Sequence, residues 1–114
     1  MNKKNQKEIV ELRLDYWQGP IWISDVQTGE PFTCIDVIDN DEEIRKLNYE
    51  IYDLYDSFIV WDEDSIPRKF DHDKARANKD KMLDLLKKLN DRLDEINDGT
   101  YVVDDRLTEY YKKL

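Results

Sequence analysis

Residues 41–61 read DEEIRKLNYEIYDLYDSFIVW, and this stretch decides the fold. Its apolar side chains recur at steps of three and four residues, which is the spacing of one face of an α-helix. Asn40 and Glu43 have the spacing of a capping box, and acids at positions 41–43 suit the positive end of a helix dipole. We therefore predict an amphipathic helix that begins here. Its buried stripe consists of Ile44, Leu47, Ile51, Leu54, Tyr55 and Phe58.

The same region carries the net charge of the protein. Residues 36–64 hold eleven acids and two bases, whereas the rest of the chain holds sixteen of each, so the formal net charge of −9 is local. A clustered field of this kind steers an oppositely charged partner. Large apolar residues are threaded through the segment, so we expect a folded surface rather than a solvated tail. The alternative, a helix face that is acidic only for solubility, stays open.

Upstream of the helix, the pattern predicts a β-hairpin. Residues 8–17 alternate between apolar and polar side chains, which is the period of a half-buried strand. Residues 18–20 (Gln-Gly-Pro) interrupt the run, and residues 21–23 (Ile-Trp-Ile) resume it, which indicates two antiparallel strands joined by a turn. Residues 32–38 favour a third strand or an extended segment that leads into the helix.

Downstream, residues 62–67 read as an exposed acidic loop, and a second helix is predicted over residues 71–97. Gly99 is placed to end that helix. Residues 101–103 (Tyr-Val-Val) predict a late strand beside the opening hairpin, and Asp104 or Asp105 is placed to cap a last helical turn. The buried stripe of the second helix is predicted to be Ala75, Asn78, Met82, Leu85, Leu86, Leu89, Leu93 and Ile96.

These elements predict one α+β domain over residues 1–114, with residues 1–7 flexible. In this fold a small antiparallel sheet, made of the N-terminal hairpin and the late strand, packs against two helices. The length of 114 residues suits a single hydrophobic core. With a charge of −9, close self-association through the acidic face is disfavoured, so we expect a monomer or a weak dimer.

Residue types for catalysis and metal binding are scarce. His72 is the only histidine, and the only cysteine, Cys34, lies in an apolar run where we expect a buried, unreactive thiol. The acid clusters at 39–41 and 62–64 lack the glycine of an EF-hand loop, and the three glycines are too far apart for a phosphate-binding loop. We predict a protein that is not an enzyme and has no cofactor and no metal.

Composition also bounds the partner and the compartment. A sequence pI of about 4.6 argues against direct binding of nucleic acid, which draws on clustered Lys and Arg. No apolar run approaches the roughly 18 residues of a membrane span, so no membrane association is expected. A single cysteine allows no internal disulfide, which favours a reducing cytoplasm.

Aromatic residues among the acids form the candidate contact surface. Tyr and Trp are favoured interface anchors, and carboxylates around them can meet Lys or Arg of a partner. Burial in the core is the alternative for these rings. The predicted partner-binding residues are Trp17, Glu50, Tyr52, Asp53, Asp56, Trp61, Asp62, Glu63 and Asp64.

Residues 12–22 (LRLDYWQGPIW), followed by an acidic turn and by a helix that leads into residues 55–58 (YDSF), resemble small bacterial immunity proteins. In that family a strand ends at a Y-x-x-x-P-[LI]-W element and is followed by two helices and a late strand. The resemblance covers residues 10–103. It transfers no site residues, and it suggests that Tyr16, Pro20 and Trp22 hold the fold.

The resemblance implies a function. Such proteins are small, acidic, cytoplasmic antitoxins that bind and neutralise a cognate secreted toxin, such as a nuclease of a polymorphic toxin or contact-dependent growth inhibition system. The expected partner is therefore a basic toxin domain. Two alternatives stay open: an acidic adaptor that neutralises no toxin, and a DNA mimic that binds several basic proteins.

Overall fold

The computed structural model describes residues 7–114, so the predicted flexible end lies, except for Lys7, outside the described residues. The described range is α+β, as predicted. It contains nine elements in the order β1 (Glu8–Leu12), α1 (Asp36–Asp39), α2 (Glu42–Asp56), β2 (Ile59–Trp61), β3 (Pro67–Phe70), α3 (His72–Ala77), α4 (Lys79–Glu95), β4 (Tyr101–Asp105) and α5 (Thr108–Lys112).

Helices α2 and α4 pack against each other and form the centre of the core. The predicted stripe of α2 is buried, except that Leu54 is only half-buried. The N-cap of α2 is Asp41 rather than the predicted Asn40, and its carboxylate accepts a hydrogen bond from the backbone N–H of Ile44 at 2.9 Å. Asp41 also binds Arg92 of α4, with Oδ1–Nη2 at 2.6 Å and Oδ2–Nε at 3.0 Å. This pair joins the start of α2 to the end of α4.

The helix predicted over residues 71–97 is divided into α3 and α4 at Asn78. The Asn78 side-chain amide donates to the backbone oxygen of Lys74 at 2.8 Å, and its backbone leaves the helical region. Asparagine competes in this way with the regular helical hydrogen bonds, which a pattern of apolar spacing does not register. Asn78 is half-buried and not part of the core stripe, and Ile96 is also only half-buried.

The predicted single antiparallel sheet is wrong, because the described residues form two separate two-stranded sheets. Strand β1 pairs in parallel with β4, from Glu8 opposite Tyr101 to Leu12 opposite Asp105, and β2 pairs antiparallel with β3. The late strand is confirmed beside β1, but its direction was not predictable from alternation, since side chains alternate in parallel and antiparallel strands alike.

The predicted N-terminal hairpin is also wrong. Beyond Leu12 the chain is irregular, and residues 21–23 contact β1 through one isolated antiparallel bridge, Leu12 with Ile21. Pro20 has no backbone N–H, so a regular ladder cannot continue through it. Buried and exposed side chains alternate as predicted where β1 pairs with β4, and Val10 and Leu12 are fully buried there. After Leu12 this alternation is lost.

Residues 32–38, for which a third strand or an extended segment leading into the helix was predicted, instead form a turn followed by the short helix α1. The carboxylate of Asp39 accepts hydrogen bonds from the backbone N–H groups of Thr33 and Cys34 and from the Thr33 hydroxyl, so it fixes the turn. Cys34 has a φ of +65° and is exposed, contrary to the prediction of a buried thiol.

One buried side chain attaches the irregular loop to α2. The Asn48 amide donates to Ser24 Oγ and to the Gly29 carbonyl, both at 2.8 Å, and its carbonyl accepts from the Ile21 N–H at 3.1 Å. Gly29 has a φ of +78°, and a Cβ there would lie 2.4 Å from the carbonyl oxygen of Arg45, so only glycine allows this approach. The loop is thereby held against the helix.

Candidate functional site

Trp17 lies at the tip of a tight turn that continues from β1. Asp15 and Gln18 exchange two backbone hydrogen bonds of 3.1 Å, which leaves Tyr16 and Trp17 as the two central turn residues. Trp17 has a φ of +59°, a left-handed conformation that costs an L-residue roughly 1–2 kcal/mol. The backbone N–H of Trp17 donates to the Tyr52 hydroxyl at 3.0 Å. Helix α2 therefore holds an unfavourable turn in place.

The turn presents an aromatic cluster, which we define as Tyr16, Trp17 and Trp61. The ring centroids of Trp17 and Trp61 are 5.6 Å apart, and Tyr16 lies 6.3 Å from each of them. Trp17 is 58% exposed and Tyr16 is 38% exposed, whereas Trp61 is half-buried. Exposed aromatic side chains that already pack together are typical of interface anchors, since little further ordering is needed on binding.

Four carboxylates without a basic partner come from the chain segments that carry Tyr52 and Trp61, and we call Asp53, Asp56, Glu63 and Asp64 the acidic flank. None of the four forms an ion pair with another residue of the range 7–114. Partial burial raises the pKa of Asp56, and the neighbouring charge of Asp53 raises it further. Burial likewise raises the pKa of Tyr52, and the charge of Asp56 adds to the increase. The charge of Asp56 therefore acts on the Tyr52 hydroxyl, to which the Trp17 backbone N–H donates.

Two predicted contact residues have different surroundings. Asp62 binds Arg68 at 2.7 Å, and its Oδ1 accepts from the N–H groups of Asp64 and Ile66 at 2.9 Å, so it organises the turn between β2 and β3. Glu50 lies beside α4, where it lines a shallow groove together with Lys81. Asp53 lines the same groove as Glu50. The structure thus brings Trp17, Tyr52, Asp56 and Trp61 together and leaves Glu50 and Asp53 in the groove beside α4.

The place of Tyr16 in the aromatic cluster was not predicted from the sequence. Alternation placed it on the buried face of a strand and the family pattern gave it a role in the fold, but the chain turns before it is reached, so the ring is exposed. Of the other residues of the motif, Pro20 is buried and Trp22 is half-buried under the guanidinium of Arg13, whose Cζ lies 3.8 Å from the ring centroid. These two fit the structural role that was expected.

A cavity of about 450 Å³ beside the cluster was also missed. Its walls come from four separate segments of the chain, and no local motif joins them. Among its lining residues are Asp15, Tyr16, Tyr55, Phe70, Tyr110 and Tyr111. Tyr16 belongs both to the aromatic cluster and to this cavity.

Two further findings concern residues 7–114 as a whole. No three side chains of His, Cys, Asp or Glu in this range come close enough together to hold a metal ion. No helix in the same range is long and apolar enough to cross a membrane.

Known proteins provide no match for this chain, whether the comparison is with family models, curated proteins or solved structures. A proposal for its function consequently depends on its own residues. The residues that offer one are the aromatic cluster and the acidic flank beside it.

Proposed function

We propose that this chain is a cytoplasmic immunity protein that binds and neutralises a cognate secreted toxin domain with a basic surface, such as a nuclease. The proposal depends on one observation above all. Trp17 adopts a costly backbone conformation that presents its ring in an exposed aromatic cluster. The neighbouring segments carry carboxylates that have no basic partner in the described part of the chain.

The turn at Trp17 supports a binding role. Glycine or asparagine is the usual residue at a turn position with positive φ, because neither meets the steric cost of a bulky side chain there. A large aromatic residue at this position is more than half exposed, and its contact with Trp61 does no more than offset the backbone cost. Strained residues of this kind are concentrated at functional sites. We infer that the indole is kept for contact with a partner.

The acidic flank supplies the second part of the mechanism. Its carboxylates attract a basic surface over several ångströms, which raises association rates by roughly 10 to 10³ and is weakened by salt. After encounter, the aromatic cluster is buried against the partner and supplies most of the binding energy. Inhibition of this kind is stoichiometric, and it needs no catalytic group, cofactor or metal on the inhibitor.

The proposal is tested by co-expression with a toxin. The toxin to test is the C-terminal domain of any large secreted protein whose gene neighbours the gene for this chain. We expect the wild-type protein to restore growth and the double variant Trp17→Ala/Trp61→Ala to fail while remaining folded by circular dichroism. The control is Phe32→Ala, which removes a ring that is 53% exposed but lies outside the cluster, and it should restore growth.

Two results would contradict the proposal. One is rescue by the double variant at wild-type levels, which would remove the aromatic cluster from the mechanism. The other is inhibition of several unrelated DNA-binding proteins with no rescue from the adjacent toxin, which would favour the DNA mimic. Binding to the toxin domain without neutralising it would favour an adaptor.

A further inference from the structure

The cavity beside the aromatic cluster is lined by more basic than acidic side chains. Arg13, Arg106 and His72 contribute to its walls, whereas Asp15 is the only carboxylate among the described residues that line it. Asp15 accepts the N–H of Tyr16 at 2.8 Å and forms no ion pair with either arginine in the described part of the chain. The lining therefore carries an excess of positive charge, although the net charge of the protein is −9.

Arg13 has N–H groups for which the described chain supplies no acceptor. Its Nε is the one buried side-chain nitrogen or oxygen in residues 7–114 without a hydrogen bond. A carboxylate oxygen of Glu11 lies 3.4 Å from this nitrogen without forming a hydrogen bond to it. The Arg13 side chain as a whole is 42% exposed, and its guanidinium is held flat over Trp22, with Cζ 3.8 Å from the ring centroid. Arg13 is thus oriented but not satisfied, which is unfavourable unless an acceptor binds it.

Arg106 provides a second guanidinium group close to the first. The two oxygens of Glu11 lie 3.4 Å from Arg13 Nε and 3.5 Å from Arg106 Nη2, so both arginines converge on one carboxylate. Arg106 Nε and Nη2 donate to Asp104 and Glu11, whereas its Nη1 forms no hydrogen bond in residues 7–114. Guanidinium groups hold carboxylates through paired, charge-assisted hydrogen bonds. Because Glu11 and Asp104 offset part of the positive charge, we expect a modest affinity for an anion.

The rest of the cavity is aromatic and apolar. The ring centroids of Tyr55 and Phe70 lie 5.9 Å apart, and those of Tyr110 and Tyr111 lie 5.2 Å apart with the rings nearly perpendicular. The volume of about 450 Å³ is in the range of small-molecule sites, which combine mostly apolar walls with a few polar groups that orient the ligand. A ligand for this space needs an apolar ring as well as a charge.

We propose that this cavity binds a small aromatic carboxylate, with its ring among the tyrosine and phenylalanine side chains and its carboxylate on Arg13 and Arg106. The proposal goes beyond the immunity function and does not depend on it, because the ligand is a small molecule rather than the protein partner. Since Tyr16 belongs both to the lining and to the aromatic cluster, the bound ring would lie beside the proposed contact surface.

Both parts of the ligand are needed. An inorganic anion would bind the guanidinium groups but leave the aromatic walls without a partner, and a neutral ring would leave the Arg13 donors unsatisfied. A carboxylate attached directly to a ring is flat, and its two oxygens match the fork of a guanidinium group. An aromatic carboxylate therefore suits the walls and the donors together.

The test uses small probes on the full chain with ¹³C-labelled tyrosine and phenylalanine rings. Benzoate is the probe, and benzamide, which has nearly the same shape without the charge, is the matched control. We expect benzoate to shift the ring signals of Tyr55, Phe70 and Tyr110 with a Kd of about 0.5–5 mM. Benzamide should bind at least about tenfold more weakly because it lacks the charge. Acetate should also bind at least about tenfold more weakly, because it lacks the ring.

Variants locate the site. Arg13→Gln and Arg106→Gln should each weaken benzoate binding at least about threefold. Arg76→Gln is the matched control, because it removes an ion-paired surface arginine that does not line the cavity, and it should leave the affinity unchanged. Asp15→Asn keeps an acceptor for the Tyr16 N–H but removes the one negative charge of the lining, so it should strengthen benzoate binding about twofold.

Four results would overturn the inference. They are the absence of any benzoate shift at millimolar concentrations, equal binding of benzoate and benzamide, tighter binding of benzylammonium than of benzoate, and an unchanged benzoate affinity in both arginine variants. The first three are measured on the wild-type protein, so the inference stays testable if a variant does not fold. Growth rescue from a toxin bears only on the immunity function, and benzoate binding bears only on the cavity.

Discussion

The two halves of the acidic segment use the same residue types for different purposes. In the first half, Asp39 fixes a turn through three hydrogen bonds, and Asp41 caps α2 and binds Arg92. In the second half, the acidic flank has no ion pair within residues 7–114 and lies beside exposed aromatic rings. Asp62 is the exception there, because Arg68 and two N–H groups occupy its carboxylate.

The comparison shows that a cluster of charge in the sequence is not yet a binding surface. Asp39 and Asp41 differ from the acidic flank because donors of the same fold reach their carboxylates. Position along the helix predicts part of this difference. Acids near the N-terminus of a helix stabilise its dipole, whereas acids near the C-terminus oppose it. Position does not predict the ion pairs. Arg92, which binds Asp41, lies far along the chain, and Arg68, which binds Asp62, lies across a turn.

The largest effect is expected from Trp17→Gly, which separates binding from stability. Glycine removes the cost of the left-handed φ but also removes the contact with Trp61, and these changes of about 1 kcal/mol each nearly cancel in the free energy of unfolding. Affinity for the toxin domain should fall by about 30-fold or more, as for an interface anchor. Calorimetric binding and urea unfolding measure the two quantities.

The control for this prediction is Cys34→Gly. Cys34 also has a positive φ, of +65°, but it lies away from the aromatic cluster. We expect a gain in the free energy of unfolding of about 0.5–1 kcal/mol and an unchanged affinity. A similar loss of affinity in both variants would mean that turn rigidity, rather than the indole, matters for binding.

In the first half, Asp41→Ala should reduce stability and leave binding intact. It removes the N-cap of α2 and the pair with Arg92, and we expect a loss of about 1–2 kcal/mol in the free energy of unfolding. Urea unfolding at pH 7 measures this loss. A weaker toxin affinity with unchanged stability would contradict the division between the halves.

The pH dependence sharpens the same point. The hydrogen bonds from Arg92 lower the pKa of Asp41 below its ordinary value of 3.8. The stabilisation is therefore complete above about pH 4 and is lost as the pH falls through the lowered pKa. Wild-type stability should decline more steeply below pH 4 than that of Asp41→Asn, which keeps a cap but cannot ionise. Equal declines in the free energy of unfolding of the wild type and Asp41→Asn would show that the Asp41–Arg92 pair does not contribute to stability.

In the second half, Glu63→Gln/Asp64→Asn should slow association with the toxin domain several-fold at low salt and by much less at high salt. The double variant Glu42→Gln/Glu43→Gln removes the same charge at the start of α2 and serves as the control. Stopped-flow association rates across ionic strength measure both. A rate that does not depend on salt in the wild type would exclude electrostatic steering.

The smallest effect is expected from Asp56→Asn. Burial and the charge of Asp53 raise the pKa of Asp56. Ionised Asp56 is therefore less favourable in the folded protein than in the unfolded chain, which lowers the free energy of unfolding. The amide should increase the free energy of unfolding at pH 7 by a few tenths of a kcal/mol. This difference should shrink as the pH falls through the pKa of Asp56, and a growing difference would contradict the assignment.

The helices were the most predictable part of the fold. Stripes such as Ile44 to Ile51 and Met82 to Leu93 are local patterns, and a helix buries such a stripe in any context that covers it. The strands were less predictable. Alternation located β1 and the late strand, but pairing direction and the separation into two sheets depend on contacts between residues about 90 positions apart.

The site was predictable only where it is local. Trp61 follows directly from the apolar end of α2, and Trp17 was predicted from its place on the outward face of the first strand. The contact between their rings requires the Tyr52 hydroxyl to hold the turn, and the cavity requires α5 to reach Tyr55. The spacing of residues along the sequence predicts neither contact, because each joins residues from distant segments.

The parallel pairing of β1 with β4 also sets an order of events during synthesis. Strand β1 is synthesised before its partner, which follows only after about 90 further residues, and pairing across so long a loop is slow. Until Asp105 has been made, Val10 and Leu12 have no strand beside them. The turn that carries Trp17 continues directly from β1, so the strand that supports this turn is paired in one late step rather than gradually as the chain grows.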